Sequence, residues 1–110
     1  MPYDERLAGR VRTELAGTPG LSEKRMFGGL CFLLRGNMAC GIVRDSLMVR
    51  VGAAAYDAAL RQPHARVMDF TGKPMKGMVY VAPEGVAAPA DLAAWLRRAV
   101  DFAGRLPPRR

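Results

Sequence analysis

The chain has 110 residues, of which half are hydrophobic and a quarter are charged, and its formal net charge is +7. This length allows a single domain with a buried core, and the composition excludes an intrinsically disordered chain. No apolar run is long enough to cross a bilayer, and the acidic residues Asp4 and Glu5 near the start argue against a signal peptide. We therefore expect one cytoplasmic domain over residues 1–110 without membrane contact, in which residues 105–110 form a short basic tail.

The first predicted element is a helix over residues 3–16. Leu7, Val11 and Leu15 recur every four residues and form one apolar stripe along such a helix. The segment 17–20, which contains two glycines and a proline, is expected to end it.

Alternating apolar residues and short connections predict strands in the next part of the chain. We place them at residues 24–35 with a bend at Gly28–Gly29, at 38–43 after a Gly36–Asn37 turn, and at 47–51. Connections this short favour antiparallel pairing.

The remaining predicted elements follow a helix–strand–strand–helix order. They are a short alanine-rich helix at 53–61, strands near 66–70 and 78–82, and a final helix over about 90–104 with Trp95 on its apolar face. The complete order, α-β-β-β-α-β-β-α, predicts a two-layer α+β domain. In such a domain the helices pack on one face of an antiparallel sheet, here of about five strands.

Two segments combine glycine with positive charge and are candidate sites of partner contact. In the first, two cations precede Gly28–Gly29, which is either a bulge that lets the strand curl or a place where a partner approaches exposed backbone. In the second, a loop over 72–77 carries two lysines and is either solvated or a contact for an acidic partner. The candidate contact residues are Lys24, Arg25, Gly28, Gly29, Lys73 and Lys76.

The residues able to carry catalysis are few and lack suitable neighbours. If Gly36–Asn37 is the hairpin loop, Cys31 and Cys40 share a face but lie diagonally, too far apart for an unstrained disulfide. We therefore expect free, half-buried thiols. His64, the single histidine, follows Pro63 in a connecting loop, with no orienting acid fixed beside it. These observations predict no catalytic, metal-binding or cofactor-binding residues.

The positive charge and the methionines each leave two alternatives. The 17 lysine and arginine residues are spread along the chain, which is typical of a solvated basic surface, although such a charge also occurs in nucleic-acid-binding proteins. The methionines at positions 26, 38, 48, 68, 75 and 78 either fill the core or serve a dimer interface, and we favour the core for most of them.

Short motifs spread along the chain are more specific as a set than singly. They are Arg25-Met26-Phe27-Gly28-Gly29, Phe32, Gly36, Met38-Ala39, Leu47-Met48-Val49-Arg50-Val51, Met68-Asp69-Phe70, Gly72-Lys73-Pro74, Met78-Val79-Tyr80, Pro83-Glu84 and the helix with Leu92 and Trp95. Over roughly residues 3–103 this set resembles the N-terminal domain of the TfoX/Sxy family.

The resemblance implies a two-layer fold of the secretion-chaperone-like type and a link to the regulation of natural competence in some bacteria. Full-length members of the family carry a second, C-terminal domain and act as co-activators alongside the cyclic-AMP receptor protein. We expect this chain to be a stand-alone copy of the N-terminal domain. The family offers no catalytic residues to carry over.

Residues and resemblance together favour a small, non-enzymatic protein-interaction or regulatory module without cofactors. Its expected partner is another protein of unknown identity, and a homodimer is an open alternative. The alternative function is nucleic-acid binding through the basic surface.

Overall fold

The computed structural model describes residues 3–26, 28–69, 72 and 75–109. In these ranges the chain forms α1 (Glu5–Leu15), β1 (Leu21–Met26), β2 (Gly29–Leu34), β3 (Asn37–Val43), β4 (Ser46–Arg50), α2 (Tyr56–Leu60), β5 (Ala65–Val67), β6 (Met78–Val81) and α3 (Pro89–Ala103), with a 3₁₀ turn at Pro83–Gly85. The strands form an antiparallel sheet in the order β1-β2-β3-β4-β6-β5. The predicted α+β class with an antiparallel sheet is therefore confirmed.

Helix α1 forms where the apolar stripe predicts it. The Asp4 carboxylate caps its start by accepting hydrogen bonds from the backbone amides of Arg6 and Leu7, at 2.9 and 3.2 Å. Leu7, Val11 and Leu15 are buried in the same apolar cluster as residues of the sheet. The stripe is thus the side of the helix that faces the core.

The helices in the described ranges share one face of the sheet. α3 packs across β3 and β4 and also contacts α1, whereas α2 packs on β5 and β6. Trp95 and Leu96 of α3 are buried in one cluster with Phe32 of β2 and Val49 of β4. None of the helices in those ranges combines the length and the apolar character needed to cross a membrane.

The sheet has six strands over the described residues, not about five, because the segment predicted as one strand over 24–35 forms a hairpin. Its two strands, β1 and β2, pair with Met26 opposite Gly29. Gly28 permits this turn, since its φ of +72° lies in the left-handed region that favours glycine. Gly29 is buried so closely against β3 that a Cβ atom there would collide with the carbonyl oxygen of Ile42. The two glycines therefore form a turn and a close approach of strands, not a bulge within one strand.

The turn between β2 and β3 also differs from the prediction, and it moves the two thiols to opposite faces. The turn lies at Arg35–Gly36, where both residues have a positive φ, 49° and 84°, as a type I′ hairpin turn requires. A register shift in the same strand pair then places Cys40 opposite Phe32 and Cys31 opposite Gly41. The expected shared face is wrong, because Cys40 packs on the helix side and Cys31 on the other. The thiols are free, as predicted, but they are fully rather than half buried.

The strand predicted at 66–70 is shorter than expected and begins one residue earlier, as β5. After it the chain leaves the sheet, and the backbone amide of Met75 donates to the carbonyl oxygen of Met68 at 2.8 Å, which closes the base of the loop that leads to β6. Phe70, the last residue of the predicted strand, lies outside the described residues.

The face of the sheet opposite the helices carries a second apolar cluster, here called the methionine cluster. Its buried members are Cys31, Met48, Met68, Met78 and Tyr80, and Met26, Met38, Val43 and Met75 pack against them. Of the six methionines expected mostly to fill the core, Met48, Met68 and Met78 are buried, which is half of them. The methionines of the second group are only half buried, so apolar surface remains open at the edge of the cluster.

We predict that Gly29→Ala lowers the free energy of unfolding by about 1–3 kcal/mol, because β2 and β3 must separate to admit the new methyl group. Gly9→Ala is the matched control, since Gly9 lies within α1 and a Cβ atom there meets nothing within 4 Å. The control should raise the free energy of unfolding by about 0.5–1 kcal/mol, because glycine is a poor helix former. Urea denaturation of both variants checks this, and a Gly29→Ala protein as stable as the parent would contradict the close approach.

Candidate functional site

A groove of about 690 Å³ crosses the open part of the methionine cluster and reaches from Gly36 in the β2–β3 turn to Met26 at the end of β1. Its lining exposes polar and apolar surface in about equal measure and comes from several strands and from the chain segments beside them. The larger apolar side chains of the lining, here called the floor, are Met26, Leu33, Met38, Met75, Met78 and Phe102. We call this cavity the groove.

Strand pairing explains why these side chains meet on one surface. Leu33 of β2 lies opposite Met38 of β3, so both side chains point to the face away from the helices. In β4, Arg50 is two residues from Met48 and shares that face. Lys24 of β1 also shares it, because its partner on β2 belongs to the methionine cluster. The period of two in the strands thus brings methionines and positive charges together.

Every charged residue that lines the groove, within the described part of the chain, is cationic. These residues, here called the rim of the groove, are Lys24, Arg50, Lys76 and Arg109. The guanidinium carbon of Arg50 lies 5.2 Å from the centroid of the Phe102 ring, and its Nη1 donates to the carbonyl oxygen of Met38 at 3.3 Å. Arg50 is therefore a fixed charge, whereas the side chains of Lys24 and Lys76 are exposed and free to follow an anion.

The C-terminal segment 104–109, here called the strap, brings Arg109 to the groove. Nη2 of Arg35 donates to the carbonyl oxygen of the first strap residue at 2.6 Å, and Nδ2 of Asn37 donates to that of Pro107 at 2.8 Å. The backbone amide of Arg109 donates in turn to the carbonyl oxygen of Arg35 at 2.8 Å. Asn37 is only 7% exposed, so the strap satisfies a buried polar group and is held to the β2–β3 turn.

Only some of the contact residues predicted from the sequence lie at the groove. Lys24 and Lys76 both line the groove. Arg25 lies opposite Leu30, a residue of the helix-side core, so Arg25 is exposed on the other face of β1 from Lys24. Lys73, and Arg110 at the end of the predicted tail, lie outside the described residues.

The two predicted glycines do not line the groove. Gly28 is exposed in the β1–β2 turn, whereas Gly29 is buried against β3. A partner that reached this turn would therefore meet the backbone of Gly28 and not that of Gly29.

Three groove residues, Arg50, Phe102 and Arg109, are not predicted as contact residues from the sequence. A signal for Arg50 exists, because it alternates with Met48 in a strand whose period of two is clear. Phe102 carries no local signal, and Arg109 is predicted only as part of the basic tail 105–110, since contacts distant in the chain bring both residues to the groove. The Asn37 hydrogen bond that holds the strap, for example, spans 70 residues.

His64, Cys31 and Cys40 do not line the groove. His64 is exposed between α2 and β5, where it borders a separate cavity of about 130 Å³ together with Asp91 and Trp95. Burial raises the pKa of Cys31 to about 11 and, with a contribution from the Cys31 charge, the pKa of Cys40 to about 12. Both thiols therefore stay protonated near neutral pH and are poor nucleophiles. The described residues contain no group of three or more side chains suited to holding a metal ion.

The buried thiols predict a loss of stability at alkaline pH. Thiols of the unfolded chain ionise near pH ~8.5, whereas in the folded chain the pKa of Cys31 is about 11 and that of Cys40 about 12. The unfolded state then binds fewer protons than the folded state, so the free energy of unfolding falls as the pH rises above ~8.5. Urea unfolding between about pH 7 and about pH 10.5 measures this slope.

The control for this prediction is the Cys31→Ala/Cys40→Ala variant, which retains every other titrating group. Its free energy of unfolding should fall less steeply over the same pH range. Equal slopes in the variant and the parent would show that the thiols do not contribute.

Comparison with known proteins agrees with the resemblance seen in the motifs. The family model described as the TfoX N-terminal domain matches residues 13–103, a range that includes every groove residue named above except Arg109. No match is found among curated proteins or among solved structures. Because the match spans most of the chain, this protein belongs to the TfoX N-terminal domain family.

Proposed function

We propose that this domain is a cytoplasmic, non-enzymatic interaction module with a regulatory role, and that the groove is the surface on which it binds a protein partner. The observation that carries the proposal is the composition of the groove, an apolar floor rich in methionine within a rim of cations. Open apolar surface with a polar rim is typical of binding sites on small soluble domains. Flexible methionine side chains adapt to the shape of a partner.

The chemistry of the groove favours binding over catalysis. The described residues that line it include no histidine, cysteine, aspartate or glutamate, which are the usual groups for acid–base and nucleophilic catalysis. Lys24 and Lys76 are exposed, whereas a nucleophilic lysine is normally desolvated in an apolar pocket. The groove therefore offers contacts and charge, but no reactive centre of a familiar kind.

A second candidate function is nucleic-acid binding, which one observation favours. Cations from distant parts of the chain, Lys24, Lys76 and Arg109, meet at the same groove. Binding through phosphate contacts weakens steeply with salt. Binding of random DNA or RNA that persisted at physiological salt would favour this candidate over protein binding.

The proposal predicts that charge reversal at the groove strongly reduces partner capture. In native cells, tagged Lys24→Glu/Lys76→Glu protein should retain the partner about tenfold less than the parent, as quantified by mass spectrometry. The matched control is Arg61→Glu/Arg97→Glu, which changes the net charge equally at exposed positions that do not line the groove. Circular dichroism should show both variants folded.

The control variant should retain the partner as the parent does. If both variants lost the partner, the loss would be an effect of overall charge. If the groove variant captured the partner as the parent does, the contact surface would lie elsewhere. Either result contradicts the assignment of the groove.

A further inference from the structure

The floor of the groove continues the buried methionine cluster without a break. Met48 and Met68 are fully buried, whereas Met26, Met38 and Met75 are half exposed around them. A methionine side chain is unbranched and polarisable, so it closes around apolar groups of different shape. An apolar side chain of a partner could therefore extend this cluster outward, with methyl and thioether groups on several sides.

The positive charges of the rim are not neutralised by carboxylates among the described residues that line the groove. An Arg12–Glu23 ion pair of 2.8 Å is present on the molecule, but it joins α1 to β1 and does not line the groove. Like charges gathered around one cavity repel each other and attract an anion, so charge complementarity requires an acidic occupant.

The lining favours a peptide over a nucleic acid as that occupant. Single-stranded nucleic acids are bound largely by stacking bases on open aromatic rings. Among the described lining residues the aromatic side chain is Phe102, and the guanidinium of Arg50 already lies over its ring. Methionine methyl groups are better suited to pack against the aliphatic and aromatic side chains of a protein than to stack on bases.

The size of the groove indicates how much of a partner it holds. A cavity of about 690 Å³ falls within the range of roughly 300–1,000 Å³ that is typical of ligand clefts. That volume holds a few side chains of a short segment and not the surface of a whole domain.

We infer that the groove binds a short acidic segment of a partner protein, with at least one apolar side chain inserted among the methionines. This inference rests on the proposed function and names the chemistry of its partner. The acidic side chains face Lys24, Lys76 and Arg109, while Arg50, fixed between Phe102 and the carbonyl oxygen of Met38, is the least mobile of the positive anchors.

Fluorescence anisotropy with designed peptides tests this inference on the intact chain. The probe is a labelled peptide that alternates glutamate with leucine. The comparison peptides replace leucine with glycine or glutamate with lysine, and a labelled single-stranded DNA represents nucleic acid. At physiological salt we expect the glutamate–leucine peptide to bind about tenfold more tightly than every comparison ligand.

The same titration on variants locates the site. Lys24→Glu/Lys76→Glu should weaken binding of the glutamate–leucine peptide about tenfold, whereas Arg61→Glu/Arg97→Glu should leave it unchanged. If the glutamate–glycine peptide bound as tightly as the glutamate–leucine peptide, no apolar side chain would be needed for binding. If both variants bound the glutamate–leucine peptide as tightly as the parent does, the groove would not be the binding site. Tighter binding of the DNA would overturn the inference in favour of nucleic acid.

The peptide titration tests the chemistry of the partner, whereas the capture experiment tests whether the groove is the binding surface. If capture from cells depends on the groove but the glutamate–leucine peptide binds no better than the others, the interaction module stands and its partner chemistry is wrong. If the groove variant also captures the partner normally, both the partner chemistry and the assignment of the groove as the binding surface are wrong.

Discussion

The structure depends on a sheet whose central strands are apolar on both faces while helices cover only one of them. In β2, β3 and β4 nearly every residue is buried, so each face of these strands needs apolar cover. The helices supply it on one side. On the other side methionines cover one another, and Met68 lies buried among them just after β5 leaves the sheet. This cover is partial, and the groove lies where it ends.

The rim of the groove follows from the same arrangement. Alternation in β1 and β4 places Lys24 and Arg50 beside the methionines, and the strap adds Arg109 because the β2–β3 turn binds its backbone. Gly36 allows that contact, since a Cβ atom there would collide with the carbonyl oxygen of Arg109. Positive charge thus surrounds an apolar floor through contacts that also hold the fold together. The acidic segment that we propose as the ligand would relieve the repulsion among these cations.

Much of the fold could be predicted from local pattern, because the stripe of α1, the alternation in β4 and the apolar face of α3 each repeat with the period of one element. The hairpin at Gly28–Gly29 could not, since the flanking apolar residues are equally consistent with one bent strand. The placement of the two thiols on opposite faces of the sheet could not be predicted either, because the β2–β3 turn lies one residue earlier than expected and the strand pairing then shifts in register. Of the site, Lys24 and Lys76 were predictable from charge beside glycine, whereas the strap joins residues far apart in the chain, for which a local pattern has no signal.

The most direct test of the central claim is paramagnetic relaxation of methionine methyl groups by soluble probes, one anionic and one neutral. We expect strong relaxation for Met26, Met38 and Met75, which are half exposed, and weak relaxation for Met48 and Met68, which are buried. We also expect the anionic probe to act more strongly than the neutral one at the exposed methyl groups, because the rim attracts anions. Equal relaxation by the two probes, or equal protection of all five methyl groups, would contradict an open, positively charged groove.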